Sequence, residues 1–306
     1  MEARANFGDG LMFYSKVVNL IICRCFQIDE TWVQQWTEAN EAVRSKMKRL
    51  LVISLLSVFA LARAEVIPVD LKEDCKIDST PTMTMYWAGQ QARAVLVLIP
   101  GGDGNIGIKP EMVDLKNPFY KALKRLSDPA LTSGTTDVVI FDSPYPLSPN
   151  QPYPSARGTS DHIKRMESVL AFYRKKTHLP VWVMGHSNGG ISLMELIRYL
   201  QKTNQTKLID GMVVSSARNE SSFSAPLNFP ILFIDHKNNG CTKGTQTVYR
   251  TYESVKKITS SPVGQVLITS GESQSADPCR SGFHMYFKAE EELSKALDDF
   301  IGKNTH

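Results

Sequence analysis

The chain has 306 residues, of which 42% are hydrophobic and 22% are charged, and its formal net charge is +4. This length is sufficient for one large domain or two small ones, and the composition is that of a globular protein. The charge is small and has no obvious clustering, so nothing in the sequence indicates a nucleic-acid partner.

An apolar segment with basic flanks lies close to the N-terminus but not at it. From Met47 the chain reads "MKRLLVISLLSVFALARAEV", in which two basic residues precede a short apolar stretch and Ala-Arg-Ala follows it. This pattern is typical of a secretory signal peptide over residues 47–64 with cleavage after Ala64. The apolar stretch is shorter than the roughly 20 residues that span a bilayer. We therefore predict export to the periplasm or the medium, with no stable membrane anchor after cleavage.

Residues 1–46 precede this segment, although a signal peptide normally begins at the first residue. We interpret them as an over-long N-terminal extension, with Met47 as the true start and residues 65–306 as the mature domain. The oligomeric state is left open by the sequence.

Three of the five cysteines follow the predicted cleavage site: Cys75, Cys241 and Cys279. An oxidising compartment favours a disulfide, and the odd number leaves one thiol over. No Cys-x-x-Cys pair and no His/Cys cluster has the spacing of metal ligands, so we predict no structural zinc.

Apolar, β-rich segments alternate with amphipathic ones throughout the predicted mature chain, without an evident repeat or linker. Near-continuous apolar strands that alternate with helices indicate a mostly parallel sheet covered on both faces, in one α/β domain. The predicted strands are 82–88, 93–100, 137–142, 180–185, 211–216, 230–235 and 265–271, and the predicted helices are 160–176, 191–202, 247–258 and 289–301.

A segment rich in proline and tyrosine, residues 143–158, follows the strand predicted at 137–142. Its prolines exclude a helix or an inner strand. Because open parallel sheets bind ligands at the carboxyl ends of their strands, we expect a stiff loop that shapes a pocket. A plain surface connection is the alternative.

The sequence Gly185-His186-Ser187-Asn188-Gly189 lies between an apolar strand and an apolar helix. A Gly-x-Ser-x-Gly motif in this context indicates a nucleophile elbow, in which a strained turn lifts the serine hydroxyl above the sheet. Gly185 and Gly189 would avoid clashes of a Cβ atom, and the helix N-terminus would direct N–H groups at a developing oxyanion. A purely structural glycine turn is the alternative.

An elbow requires a second oxyanion donor from a loop after an earlier strand. Pro100-Gly101-Gly102-Asp103-Gly104 follows the strand predicted at 93–100 and can bring a backbone N–H close to a substrate. The expected donors are the N–H group of Asn188 and one N–H group from Gly101, Gly102 or Asp103. A phosphate-binding loop is disfavoured because the Gly-Lys-Ser/Thr ending is missing.

A catalytic histidine is expected between the last strand and the final helix, where "CRSGFHMYF" contains His284. An ordinary loop histidine is the alternative there. The other histidines lie within the elbow, before the last strand or at the terminus: His186, His162, His178, His236 and His306.

The segments "IPGGDG", "FDSP", "GHSNGG", "DHKNNGC" and "DPC…GFH" give the mature chain a resemblance to the α/β-hydrolase superfamily. More narrowly, it resembles the cap-less, dienelactone-hydrolase-like serine hydrolases that bacteria export. The resemblance implies the α/β-hydrolase fold, a Ser–acid–His triad and no cofactor. It also implies a disulfide between Cys241 and Cys279 that joins the acid-bearing loop to the histidine-bearing loop. Only "ARNESSFSAPLNFP" separates two successive predicted strands where many relatives insert a cap, so we expect no large cap domain.

The chain departs from this pattern at the acid. In "PILFIDHKNNGC" the usual acid position falls on Asn239. An amide can accept a hydrogen bond from the histidine Nδ1–H group, but it cannot stabilise an imidazolium by charge. Deamidation of Asn239-Gly240 to aspartate is one alternative, which intact-peptide masses showing only asparagine in active protein would exclude. Asp235, Glu220 and Asp277 are alternative acids, and our order of preference is Asn239, Asp235, Glu220.

The mechanism expected from these residues is acyl transfer to Ser187, with His284 as base and then as acid, followed by hydrolysis. We expect an esterase acting on a small-molecule acyl substrate. An aminopeptidase-like amide hydrolase is the second candidate. A degenerate hydrolase retained as an exported binding protein is the third, and Asn239 is the residue that favours it.

Overall fold

The computed structural model describes residues 64–70, 80–147, 155–218, 222–223, 226–241 and 244–305. All of them belong to one unit, Leu61–His306. The predicted extension at 1–46 lies outside the described residues, as do Cys75 and the predicted signal peptide except for Ala64. Those interpretations stay predictions.

The described strands form one eight-stranded sheet that confirms the predicted mostly parallel architecture. Its order is β1-β2-β4-β3-β5-β6-β7-β8, in which β1–β2 and β2–β4 are antiparallel and the remaining pairs are parallel. The bounds are β1 Ala64–Val69, β2 Thr82–Trp87, β3 Ala94–Ile99, β4 Thr136–Asp142, β5 Val181–His186, β6 Gly211–Ser215, β7 Ile231–His236 and β8 Val263–Ile268.

Helices cover both faces of the sheet because successive strand side chains point to opposite sides. In β3, Val95 and Val97 belong to one apolar cluster, which α2, α3 and α4 cover, whereas Leu96 and Leu98 belong to the other, which α1 and α5 cover. The helices are α1 Pro118–Lys124, α2 Ser160–Thr177, α3 Gly189–Lys202, α4 Gly244–Lys256 and α5 Glu290–Asn304.

Two elements were not predicted. Strand β1 starts at Ala64, the last residue of the predicted signal peptide, and continues into the first residues of the predicted mature domain, where the sequence predicts no strand. Helix α1 has only seven residues, too few for a clear helical period, although Asn117 caps it by accepting from Phe119 N–H at 2.9 Å. Strand β8 covers Val263–Ile268 rather than 265–271, and as an edge strand it is only partly buried.

The sheet brings several loops to one edge, since β3, β5, β6, β7 and β8 are parallel and their carboxyl ends therefore lie together. Residues 216–230 are the whole connection between β6 and β7, in agreement with the expected lack of a large cap there. Within the described residues, no helix combines the length and the apolar character that crossing a bilayer requires.

Candidate active site

The turn between β5 and α3 holds Ser187 in the left-handed backbone region, with a φ of 53°. A serine in that region is strained, as at a nucleophile elbow. The turn is fixed on both sides. Ser187 N–H donates to the Ser215 carbonyl at 2.9 Å, and the Ser187 carbonyl accepts from Gly190 N–H at 3.0 Å. The serine is therefore held rigidly at the carboxyl edge of the sheet.

The two elbow glycines are sterically required. A Cβ atom on Gly189 would lie 2.1 Å from the Ile99 carbonyl oxygen, and one on Gly185 would lie 2.6 Å from the Gly189 carbonyl oxygen. Both distances are far inside van der Waals contact with backbone atoms. The glycines thus allow α3 to start directly against β3 and β5.

The glycine-rich loop after β3 lies beside the serine because β3 and β5 are neighbours in the sheet. A Cβ atom on Gly101 would lie only 2.9 Å from Ser187 Cβ. The Asn188 side chain donates from Nδ2 to the Gly102 carbonyl at 2.8 Å, which ties the elbow to this loop. Asp103 completes the group of predicted oxyanion residues that line one pocket with the serine.

Gly101→Ala is expected to lower kcat/KM about 100-fold, because the added methyl group pushes the loop away from Ser187 and misplaces the oxyanion donors. Ester hydrolysis by the purified variant checks this. Gly302→Ala, a helical position where the new Cβ meets nothing closer than 3.8 Å, is the matched control and should keep full activity. Equal kcat/KM values for the two variants would show that the 101–103 loop takes no part in catalysis.

A buried arginine that the sequence does not single out anchors the glycine-rich loop after β3. The guanidinium of Arg157 donates to the carbonyls of Pro100 at 3.3 Å and Gly102 at 2.9 Å, and to Ser192 Oγ at 2.8 Å. A peptide group is planar and trans, so fixing these carbonyls also fixes the directions of the next N–H groups, those of Gly101 and Asp103. These are two of the predicted donor positions.

Asp142 is a second anchor behind the same loop. Its carboxylate accepts from the N–H groups of Ile106 at 2.5 Å and Ile108 at 2.6 Å. The motif "FDSP", which contains Asp142, was noted in the sequence for its resemblance alone. The role of Arg157 had no sequence signal beyond its place in the 143–158 segment, for which a pocket-shaping loop was expected.

His284, which lines the same pocket, contacts Asn239. His284 Nδ1 lies 3.2 Å from Asn239 Oδ1, and because an amide oxygen only accepts, the imidazole carries its proton on Nδ1. Both side chains are buried. Nε2 is thereby left as the basic nitrogen, as a general base requires.

Asp235 does not contact His284 in the arrangement described. Its Oδ1 atom accepts from Asn239 Nδ2 at 2.7 Å, so the two residues that the sequence offered as alternatives are hydrogen-bonded in series. Asp277 accepts from Cys279 N–H and pairs with Arg280, and it is exposed. Glu220 lies outside the described residues.

The disulfide Cys241–Cys279 is confirmed. It connects the loop that bears Asn239 with the loop that bears His284. Both cysteines line the pocket, which has a volume of about 580 Å³ and is also lined by Ser187, Asn188 and His284. The pocket thus joins residues from six separate segments of the chain.

Burial dominates the electrostatics of the site. It lowers the pKa of His284 to about 4, an effect to which the nearby Arg218 adds and which Asp277 opposes. The pKa of His186 is also lowered, by burial and by His284, whose ring centroid lies 5.1 Å away. Burial raises the pKa of Asp235 to about 6. At neutral pH the imidazole is therefore neutral and the Asp235 carboxyl is ionised.

In the described part of the chain, no group of three or more His, Cys, Asp or Glu side chains is arranged to hold a metal ion. The chemistry that the described site can perform is that of a serine hydroxyl, an imidazole and backbone N–H donors.

Comparisons of the sequence find no matching protein-family model and no matching curated protein. Solved structures do match. The dienelactone hydrolase of Anabaena variabilis has a TM-score of 0.53 and 10% identity, and the match covers 79% of this chain and 99% of that one. A thermophilic carboxylesterase cloned from a metagenomic library has a TM-score of 0.51 and 13% identity, over 86% of this chain and 97% of that one. Such low identities establish the fold alone. The chain therefore has the α/β-hydrolase fold of the dienelactone hydrolases and carboxylesterases to which it is similar.

Proposed function

We propose that the chain is an exported serine hydrolase that cleaves ester bonds in small acyl substrates. The Ser187 hydroxyl attacks the substrate carbonyl while His284 Nε2 takes its proton. That proton passes to the departing alcohol, which leaves an acyl group on Ser187 Oγ. Water, deprotonated by the same imidazole, then releases the acid and restores the serine.

The observation that carries this proposal is the convergence of Ser187 and His284 on one pocket, with the serine in a strained turn at a φ of 53°. The strain places a nucleophile at the carboxyl edge of the sheet, and the glycine-rich loop next to it supplies backbone donors. The fold supports the proposal, because this edge is where open α/β sheets bind ligands.

Asn239 favours an ester over an amide substrate. A neutral amide next to His284 stabilises the imidazolium less than a carboxylate would. With less stabilisation of the imidazolium, the activation barrier for acyl transfer is higher, so a more reactive acyl donor is needed. Esters are more reactive towards nucleophilic attack than amides. Amide hydrolysis by the same residues is the second candidate, and hydrolysis of aminoacyl anilides faster than matched esters would favour it.

A fluorophosphonate probe tests the proposal. We expect one adduct on the wild-type protein, mapped by mass spectrometry to Ser187, and none on Ser187→Ala. Ser260→Ala is the matched control, since Ser260 is exposed and precedes β8, at the amino ends of the parallel strands. The probe should label this variant as it labels the wild type. A folded wild-type protein that does not label would instead support the binding-protein alternative.

Export is the second part of the proposal. The signal-peptide pattern at 47–64 supports it, and so does the disulfide, since such bonds persist in oxidising compartments. N-terminal sequencing of the protein recovered outside the cytosol should begin at residue 65. Recovery of any residue from 1–46 in that protein would contradict the assignment of Met47 as the start.

A further inference from the structure

The position next to His284 Nδ1 is occupied by a side chain with two chemically opposite ends. The amide of Asn239 accepts hydrogen bonds through Oδ1 and donates them through Nδ2. Only Oδ1 can hold the proton on Nδ1 of His284 and leave Nε2 basic. If Nδ2 faced the imidazole, it would favour the other tautomer, in which Nε2 carries the proton and cannot act as a base. The site therefore depends on which way this amide points.

Asp235 fixes the orientation of the Asn239 amide, which the amide alone does not determine. A carboxylate only accepts hydrogen bonds, so it can face Nδ2 of Asn239 but not Oδ1. Nδ2 donates to Asp235 Oδ1 at 2.7 Å, and Oδ1 of Asn239 then faces His284 Nδ1 at 3.2 Å. Cys241 N–H also donates to Oδ1 of Asn239, at 3.0 Å, which supports the same orientation.

The carboxylate is itself held in place at the end of β7. Its Oδ1 atom accepts from His236 N–H at 2.8 Å and from Ser216 Oγ at 3.1 Å, and the residue is fully buried. Its Oδ2 atom is buried and has no hydrogen-bond partner among the described residues. A buried carboxylate with one unsatisfied oxygen is destabilising, so a stability role does not account for it.

We propose that Asp235 is a positioning residue, whose carboxylate orients the Asn239 amide so that His284 presents a basic Nε2 to Ser187. This inference rests on the proposed hydrolase function. It replaces the usual carboxylate–histidine pair with a carboxylate–amide–histidine series, in which the charge lies one side chain further from the imidazole.

The experiment is a double-mutant cycle of Asp235→Asn, Asn239→Asp and the combined swap, all nearly isosteric. In Asp235→Asn, the new amide has one accepting and one donating end, so only the donors His236 N–H and Ser216 Oγ still bias which end faces Asn239. We expect kcat to fall about tenfold with little change in KM. In Asn239→Asp, two carboxylates come into contact, and one must take up a proton or move away. We expect a loss of similar size.

The combined swap restores complementarity. The amide introduced at position 235 must rotate, because the atom that faces position 239 also accepts from His236 N–H. With its oxygen kept on that N–H group, its Nδ2 group can donate to the carboxylate introduced at position 239, and that carboxylate can accept directly from His284 Nδ1–H. We expect kcat to return to the wild-type value or above it, so the double variant should exceed either single variant about tenfold or more. Circular dichroism and thermal melting of all four proteins confirm that folded protein is compared.

A second readout does not depend on turnover. Nitrogen-15 NMR of the imidazole should show His284 protonated on Nδ1 in the wild type and the swap, and a mixture of tautomers in Asp235→Asn. Two results overturn the inference: a wild-type tautomer in Asp235→Asn, or a swap no more active than the weaker single variant. If the fluorophosphonate does not label Ser187 but the tautomers behave as expected, the proposed function fails and the positioning role stands.

Discussion

His284→Ala is expected to lower kcat/KM for a soluble ester by about 10⁴-fold, because the variant has no group to take the proton from Ser187. His284 is the described histidine that shares the pocket with Ser187 and has Nδ1 engaged by an acceptor. His186 also lines the pocket, but its Nδ1 atom lies 3.1 Å from Ser215 Oγ and its ring is packed in the core. Steady-state hydrolysis of a chromogenic acetate ester measures the effect.

His178→Asn is the matched control for this loss. His178 caps α2 in the left-handed region with a φ of 58°, a conformation that asparagine tolerates. This variant should retain wild-type kcat/KM. A His284→Ala protein that remains folded and loses less than about tenfold would show that the imidazole is not the base.

The second large effect concerns pH. We expect the acid limb of kcat/KM to bend near pH 4, because burial and Arg218 lower the pKa of His284 to about 4. The base works only when neutral, so activity is retained above this pKa and lost as the pH falls through it. An ordinary histidine would place the bend near pH 6.5. Arg218→Gln should move the bend upwards, since a positive charge that disfavours the imidazolium is removed.

Asp235 adds a smaller feature to the same profile. Burial raises the pKa of Asp235 to about 6, against the hydrogen bonds from Asn239, His236 N–H and Ser216, which lower it; the phenol of Tyr286 also interacts with this carboxylate. Protonation leaves a carbonyl oxygen that still accepts from Asn239, so we expect only a partial decline near pH 6. Asp235→Asn should lack that decline.

Unfolding must be separated from the pH profile of activity. A histidine that is neutral in the folded protein has a lower pKa there than in the unfolded chain, so the unfolded state binds more protons below pH 6.5. Stability is therefore lost as the pH falls from about 6.5 towards 4. Tryptophan fluorescence at each pH identifies folded protein. A bend near pH 6.5 in protein that is still folded would contradict burial as the cause.

The sequence allowed the sheet to be predicted where strands are buried on both faces. Runs such as 93–100 and 180–185 are apolar throughout, and β3 and β5 lie within one residue of these bounds. Edge elements were harder to predict because their signals are weak or ambiguous. Strand β1 is only partly buried and starts at the predicted cleavage site, and α1, which lies outside the sheet, is too short to show a period.

The residues of the candidate site also differ in how well the sequence predicts them. Ser187 is marked by a local motif, because the elbow requires glycines at fixed spacing on both sides. The anchoring role of Arg157 depends on contacts with the carbonyls of Pro100 and Gly102, which are more than fifty residues away in sequence. Asp235 and Asn239 were treated as competing candidates, since spacing alone does not distinguish two alternative ligands from two members of one hydrogen-bonded series.

The crosslink between Cys241 and Cys279 determines when the newly made chain can reach its full stability and align its site. It closes a span of 38 residues, and restricting the unfolded chain in this way is worth about 4 kcal/mol. It also ties the loop that bears Asn239 to the loop that bears His284, so we expect the same oxidation step to stabilise the domain and to align these two side chains. A newly synthesised chain with free thiols lacks both benefits. Under the proposed export, we expect the proposed site to mature only when the chain reaches a compartment where thiols are oxidised.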